Sequence, residues 1–295
     1  MSWLDRQSFL GAQSAERLAE ATVGLVGLGG GNSHTAQQLA HLGVGRFILI
    51  DDDRITLTNL NRLVGGTWLA VFRRRAKVAI MKRMILAINP RARVTVYRQR
   101  WQVVCHVLKT CDVVVGGLDS VGAKDELDAF CRRFLVPYLD LGMDVHKLGA
   151  GQGYLVAGQV MLSMTGGPCL RCLGVVTDSA IEEEARKYGA AGSRPQVVWA
   201  NGVLASASVG MLVQLLTPWS ERERAGGYLV YDANTGTVRE GDRFLRWQGP
   251  CAHHPEASVG DLGFDVRTFG DRESQSRRRG GILRRLFPWS YSVPR

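Results

Sequence analysis

The chain has 295 residues, 45% of them hydrophobic, enough for one α/β domain with a small appendage and too few for two large ones. Its formal charge of +10 is unevenly spread: from Arg267 onward eight arginines face two acids, so +6 sits in the last stretch and +4 in the rest. The opening MSWLDRQSFL lacks the charged-then-apolar order of a secretory signal, and no apolar run is expected to reach the ~18 residues of a membrane span. A cytosolic location is therefore expected, with the six cysteines as thiols or metal ligands rather than disulfides.

Residues 3 to 20 read as an amphipathic helical segment, with Trp3, Leu4, Phe9 and Leu10 apolar and Arg6 beside Gln7. Thr22 to Val26 is a β-branched apolar strand, Gly27-Leu28-Gly29-Gly30-Gly31 a turn too tight for side chains, and Ala36, Leu39 and Ala40 an apolar stripe at helical spacing. Arg46 to Ile50 is a second buried strand that stops at three carboxylates, Asp51, Asp52 and Asp53. In such a βαβ unit, phosphates can approach bare backbone at a helix N-terminus, where unpaired N–H groups favour anions. Asp51, at the next strand tip, is placed to bind a ribose hydroxyl. A dinucleotide fingerprint starting at Gly27 would require glycine at position 32, where this chain has Asn32.

Asn59 and Arg62 follow the carboxylates and suit a triphosphate. Arg73-Arg74-Arg75-Ala76-Lys77 opens a helix running through Val78, Met81 and Ile85 to the stop at Asn89-Pro90. Four cations at a helix start are electrostatically unfavourable unless an anion is near. Arg93 to Tyr97 and Asp112 to Gly116 are further strands, the second ending in Asp119-Ser120 before a helix through Glu126 and Phe130. Asp119 reads either as a helix N-cap or as a second strand-tip acid sharing a crevice with Asp51.

Pro137 to Gly142 is a fifth strand, after which Val145 to Met164 alternates as antiparallel strands do, with glycine turns at Gly149, Gly151 and Gly153. Ser179 to Tyr188 is a charged helix, Asn201 to Leu216 a buried one, and Gly227 to Arg239 a last hairpin around Asn234-Thr235-Gly236. Cys169 and Cys172 form a C-x2-C knuckle and Cys251 with His254 a C-x2-H pair, together able to make a closed zinc site; His253 is an alternative fourth ligand, and reduced thiols with exposed histidines the simpler reading. Cys105, Cys111 and Cys131 read as core residues. The Arg- and Ser-rich tail reads as disordered and simply solvated, with an acidic partner, nucleic acid or anionic membrane as the alternatives and Ile282 to Trp289 as a candidate docking patch.

Taken together, Gly27-Leu28-Gly29-Gly30-Gly31-Asn32-Ser33, Asp51-Asp52-Asp53 and Thr58-Asn59-Leu60-Asn61-Arg62 resemble the ThiF/MoeB-like adenylyltransferases, which activate sulfur carriers and ubiquitin-like proteins. The resemblance runs in order to about residue 254. It implies a Rossmann-like, mostly parallel sheet continued by antiparallel strands with a zinc knuckle. Residues 1–20 would form a helical arm, 21–264 the adenylation domain and 265–295 a basic tail.

The resemblance further implies ATP held over Gly27, Gly29, Gly30, Asp51, Asp53, Asn59, Arg62 and Lys77, with Mg2+ on Asp119. It implies structural Zn2+ on the knuckle, and a homodimer in which Arg6 reaches the partner subunit's ATP. The cargo would be a small ubiquitin-like or sulfur-carrier protein, handed on to a conjugating enzyme or sulfurtransferase. The chain departs from the family at the fourth knuckle position, where His254 stands for the usual cysteine, and more importantly in having no cysteine between Leu173 and Pro250 to receive the activated carrier. A catalytically silent scaffold is the alternative, supported by that lack and by Asn32 crowding the nucleotide. A nicotinamide oxidoreductase and a relative acting on a tRNA base are further readings.

Overall fold

The computed structural model describes residues 3–149, 151, 153–186, 195–220, 227–254, 260 and 266. Its framework is one sheet of eight strands: β1 Thr22–Val26, β2 Arg46–Ile50, β3 Arg93–Tyr97, β4 Val113–Gly116, β5 Tyr138–Lys147, β6 Tyr154–Ser163, β7 Gly227–Asp232 and β8 Thr237–Glu240. They stand in the order β3-β2-β1-β4-β5-β6-β7-β8. The first five pair in parallel, and β5-β6-β7-β8 are antiparallel. β5 belongs to both halves: Tyr138 to Asp140 pair with β4, while the strand continues past the expected end at Gly142 to Lys147 against β6.

The helices are α1 Ser14–Glu20, α2 Gly30–His41, α3 Trp68–Phe72, α4 Lys77–Ile88, α5 Val121–Arg133, α6 Asp178–Arg186, α7 Val198–Leu216 and α8 Asp242–Leu245. Continuous apolar runs such as Val23, Leu25 and Leu49, fully buried, mark strands covered on both faces. One face carries α2, α4 and α7 over a core including Leu39, Met81, Ile85 and Leu212. The other carries α5 and a 3-10 segment, Trp101–Thr110, over Leu108, Phe130 and Tyr138. Truncating one of these buried leucines would cost about 2–5 kcal/mol.

Several expected boundaries shift. The amino-terminal segment is a 3-10 turn, Asp5–Leu10, then α1, broken where Gln13 takes a left-handed conformation; Leu10 and Leu18 insert into the main core. The three arginines do not open α4. They link it to α3, with Arg74 at φ 46°, and the helix begins at Lys77. The charged helix covers Asp178–Arg186 among the described residues, and residues 187 and 188 of the expected span lie outside them.

α7 starts at Val198, and by length and composition it is apolar enough to cross a membrane, against the expectation of no such run. Nine of its residues, among them Leu204, Ala205 and Leu212, are nonetheless buried against the domain. The tail from residue 265, with its expected patch Ile282 to Trp289, lies outside the described residues except Val266, which is buried.

Candidate active site

β1 is flanked by β2 on one side and β4 on the other, so the chain order reverses there, and a crevice opens beyond the strand ends at such a point. The crevice measures about 320 Å3 and is lined by Gly29, Asn59, Arg62, Lys77 and Asp119, among others. The turn after β1 requires its first glycine: Gly27 has φ 77°, and a Cβ there would lie 2.7 Å from the Gly117 carbonyl oxygen. A Cβ on Gly29 would meet nothing within 4 Å, so this position opens toward the crevice, and no side chain caps α2. Gly30 is required for another reason, since its Cβ would overlap Asn201 Nδ2 of α7 at 2.5 Å.

Asn32 does not crowd this space. It is fully buried, and its Nδ2 donates to the carbonyls of Val26 at 3.1 Å, Gly27 at 3.0 Å and Val115 at 3.1 Å. A glycine could not make these bonds, which tie the glycine turn to β4 from beneath.

Asp51 is 8% exposed and accepts from Leu28 N at 2.6 Å and Asp53 N at 2.8 Å. Burial pushes its carboxyl above the usual range, and the Lys77 ammonium and these N–H donors oppose that. Lys77 Nζ lies 2.7 Å from Asp53 Oδ2 and 3.7 Å from Asp51 Oδ2. Backbone bonds bring the two segments together: Lys77 N donates to Asp53 O at 3.1 Å and Ile55 N to Arg75 O at 2.9 Å. Lys77 lines the crevice, whereas Asp51, buried, and Asp53, exposed, meet its ammonium outside that lining.

Asn59 commits its Oδ1 to Thr56 N at 2.9 Å in a capping box. Arg62 is held by the Thr58 carbonyl at 2.6 Å and by Asn61 Oδ1 at 3.1 Å. Asn61 in turn donates to Gln196 O at 3.0 Å, and Gln196 Nε2 donates to Asp119 Oδ1 at 3.0 Å. Asp119 is not the cap of α5. That task falls to Ser120, whose Oγ accepts from Ala123 N at 3.2 Å, assisted by Glu184, which accepts from Gly122 N at 3.1 Å.

The structure therefore brings Gly29, Gly30, Asn59, Arg62, Lys77 and Asp119 to one crevice, with Asp51 and Asp53 beside Lys77 but not among its lining residues. Arg6 is exposed and stands apart from the crevice of its own chain. Gln196, Asn61, Lys124 and Asn201 were not singled out by sequence. Each is a common polar residue whose place depends on packing between distant segments, and only their nearness to the glycine turn, the Arg62 motif or Asp119 could have raised two of them.

The knuckle residues also converge. Cys169 Sγ lies 3.6 Å from Cys172 Sγ, and Cys172 Sγ lies 3.5 Å from Cys251 Sγ. His253 Nδ1 is 3.5 Å from Cys169 Sγ and 3.4 Å from Cys172 Sγ. Zn–S bonds of about 2.3 Å set tetrahedral edges of roughly 3.8 Å, so these four groups fit zinc. In this group the histidine is His253, the alternative fourth ligand; His254 lies in a second group with Asp128 and Cys169, and its Nε2 is buried and unbonded among the described residues. Burial pushes His254 down to about 4. Cys111 and Cys131 are buried, and burial raises both thiols, the first to about 12, as core residues require.

Comparison with known proteins places this geometry. The chain is 31% identical over 247 residues to the sulfur carrier protein adenylyltransferase of Thermus thermophilus, covering 78% of this chain and 82% of that protein. It is 34% identical over 135 residues to the tRNA threonylcarbamoyladenosine dehydratase of Escherichia coli, covering 45% of this chain and only half of that protein. The crystal structure of E. coli MccB with ATP superposes with a TM-score of 0.67 at 20% identity, covering 82% of this chain and 71% of that one, a likeness of fold. A sequence model described as ThiF family matches residues 4–244, and on that match the chain belongs to the ThiF family, among whose members the relatives above include adenylyltransferases.

Proposed function

We propose that this protein is an ATP- and Mg2+-dependent adenylyltransferase acting on the C-terminal glycine carboxylate of a small ubiquitin-like or sulfur-carrier protein. The observation that carries this reading is a single crevice holding the uncapped start of α2 at Gly29 together with Asn59, Arg62, Lys77 and Asp119. The adenylyltransferase of Thermus thermophilus, matched over most of both chains, supports it.

In the reaction a carboxylate oxygen attacks the α-phosphorus of ATP. A phosphorus–oxygen bond forms, the bond to the bridging oxygen of the β-phosphate breaks, and pyrophosphate leaves with that electron pair. The nucleophile is already an anion, so no general base is needed and the residues work by position and charge. Asp51 would hold the ribose, Gly27, Gly29 and Gly30 lie under the nucleotide, and Asn59, Arg62 and Lys77 neutralise the departing phosphates. Asp53 orients Lys77 through their 2.7 Å contact. Mg2+ on Asp119 would supply further neutralisation of phosphate charge. Zinc on Cys169, Cys172, Cys251 and His253 would have no open position, so its role is structural.

Arg6, exposed and away from its own crevice, would reach a second subunit's site, and exposed Trp3, Phe9, Trp68 and Phe72 supply apolar surface for such a homodimer. With no cysteine from Leu173 to Pro250, the adenylate is either the final product or is attacked by a separate conjugating enzyme or sulfurtransferase. A cytosolic location belongs to the same reading. The scaffold alternative loses one support, because Asn32 points beneath the turn. A second reading, adenylation of a modified tRNA base, is favoured by the 34% identity to the dehydratase. The Cys/His cluster and the antiparallel half favour a protein cargo.

The test is exchange of radiolabelled pyrophosphate into ATP in the presence of carriers ending in Gly-Gly. Carrier-dependent exchange is expected, and Asp119→Ala should lower it by on the order of a hundredfold or more without altering the circular dichroism spectrum. Exchange that is unchanged in that variant removes the site assignment.

A further inference from the structure

Lys124 is a lysine that none of the motifs above accounts for. It lies on α5, five residues past Asp119, and is only 7% exposed. Its Nζ donates to Asp140 Oδ2 at 2.8 Å and to the Leu141 carbonyl at 3.1 Å. Asp140 is fully buried, and its other oxygen accepts the Tyr138 hydroxyl at 3.0 Å. An ammonium carries three N–H bonds, and the third has no acceptor among the described residues. Lys124 nevertheless lines the crevice, on the wall shared by Asp119 and by Gly142 of β5. A Cβ at Gly142 would come within 3.2 Å of Nζ, so bare backbone lies beside the ammonium.

A buried ion pair is a weak source of stability, whereas an ammonium held in one direction is a strong recogniser of an anion. Adenylation must bring two anions together, the attacking carboxylate and the α-phosphate. Arg62 and Lys77 serve the phosphates at one end of the crevice. The carboxylate needs a donor at the other end, beside β5 and β6, and Lys124 is the cation there whose direction is fixed from behind.

We propose that Lys124 holds the carboxylate of the cargo, a role that rests on the adenylation reading. Its third N–H donates to the carboxylate oxygen that does not attack. Once the other oxygen has bonded to phosphorus, the same N–H donates to the resulting acyl carbonyl. Asp140 is a positioning residue: with Tyr138 it aims the ammonium and offsets its charge, so the interaction acts through direction more than through net charge.

The test titrates the full chain with Mg·ATP and, separately, with the sulfamoyl analogue of a glycylglycyl adenylate, a stable mimic of the acylated nucleotide. Lys124→Met should bind the analogue at least tenfold more weakly than the wild type, with ATP affinity changed less than twofold. Because that variant strands a buried carboxylate, Lys124→Met combined with Asp140→Asn removes both charges and should show the same selective loss. Equal weakening toward both ligands, or unchanged analogue binding, overturns the role of Lys124. A wild type that binds neither ligand instead overturns the adenylation reading, and the assignment with it.

Discussion

The two halves of the sheet are built on different terms. In the parallel half, the site is made by backbone and by side chains adjacent in sequence to strand ends: the turn at Gly27, Asp51 accepting Leu28 N, and Lys77 brought in by the Asp53–Lys77 backbone bond. In the knuckle beside the antiparallel half, by contrast, the side chains come from segments 84 residues apart, as with His253 on Cys169, whereas Lys124 meets Asp140 where β5 still pairs with β4. A short motif can encode the turn and strand ends of the first half. The knuckle is assembled only when the segments around Cys169 and Cys251 have come together.

Breaking the second half at its knuckle should have the largest effect. Cys172→Ser or His253→Ala is expected to lose zinc and destabilise the fold by on the order of 3 kcal/mol or more, read by metal analysis and thermal unfolding. His254→Ala should keep about one zinc per chain, as it is His253 that groups with all three thiols, whereas His254 groups with Cys169 and Asp128. Zinc lost from His254→Ala and retained by His253→Ala would reverse the ligand assignment.

Next in size is the support beneath the glycine turn. Asn32→Ala deprives three carbonyls of a donor and should cost about 2 kcal/mol in denaturant unfolding. Its ATP affinity, measured on the protein that remains folded, should be close to that of the wild type. Improved ATP binding would mean that Asn32 does obstruct the nucleotide.

Asp51→Asn should act in the opposite sense, on binding rather than stability. Burial raises the Asp51 carboxyl above its unfolded value, so the native state prefers it protonated. Such a group adds no penalty below its unfolded pKa and its full penalty above its folded one, and stability falls as pH rises between the two. The neutral amide escapes that penalty, so unfolding at pH 7 should change by less than about 1 kcal/mol. ATP affinity should still fall roughly tenfold, about 1.4 kcal/mol, through loss of the ribose contact. In the wild type, ATP affinity should weaken on acidification at a higher pH than an ordinary aspartate would set.

The smallest effect is expected from Arg6→Ala, a few-fold loss of exchange activity with unchanged ATP affinity for the folded chain. Mixing it with Lys77→Ala should give activity above the mean of the two variants, since a mixed dimer holds one site with both residues intact. Light scattering that reports a monomer at assay concentrations would remove the trans role.

This division also explains what could be read from the amino acids. The parallel strands and the glycine turn follow from local periodicity, whereas Asn59, Arg62, Lys77 and Asp119 are grouped by the order of motifs that the family resemblance supplies. Ser120 rather than Asp119 capping α5 was not legible, since both residues are good caps and only the fold determines which one faces the helix. His253 and His254 differ by one position along a loop, and spacing alone cannot say which ring turns toward three thiols. Lys124 had only its nearness to Asp119 as a signal, because its partner Asp140 comes from a different element and the pair forms only when α5 packs on β5.

The central claim is that one crevice beyond β1 and β4 binds an adenine nucleotide by its phosphates. Calorimetric titration of the full chain with ATP in the presence of Mg2+, beside NAD as competitor, tests it most directly. Saturable ATP binding at one site per chain that Lys77→Ala weakens and NAD does not displace is the predicted result. Binding of NAD without need for Mg2+, or ATP binding indifferent to Lys77, would contradict the account.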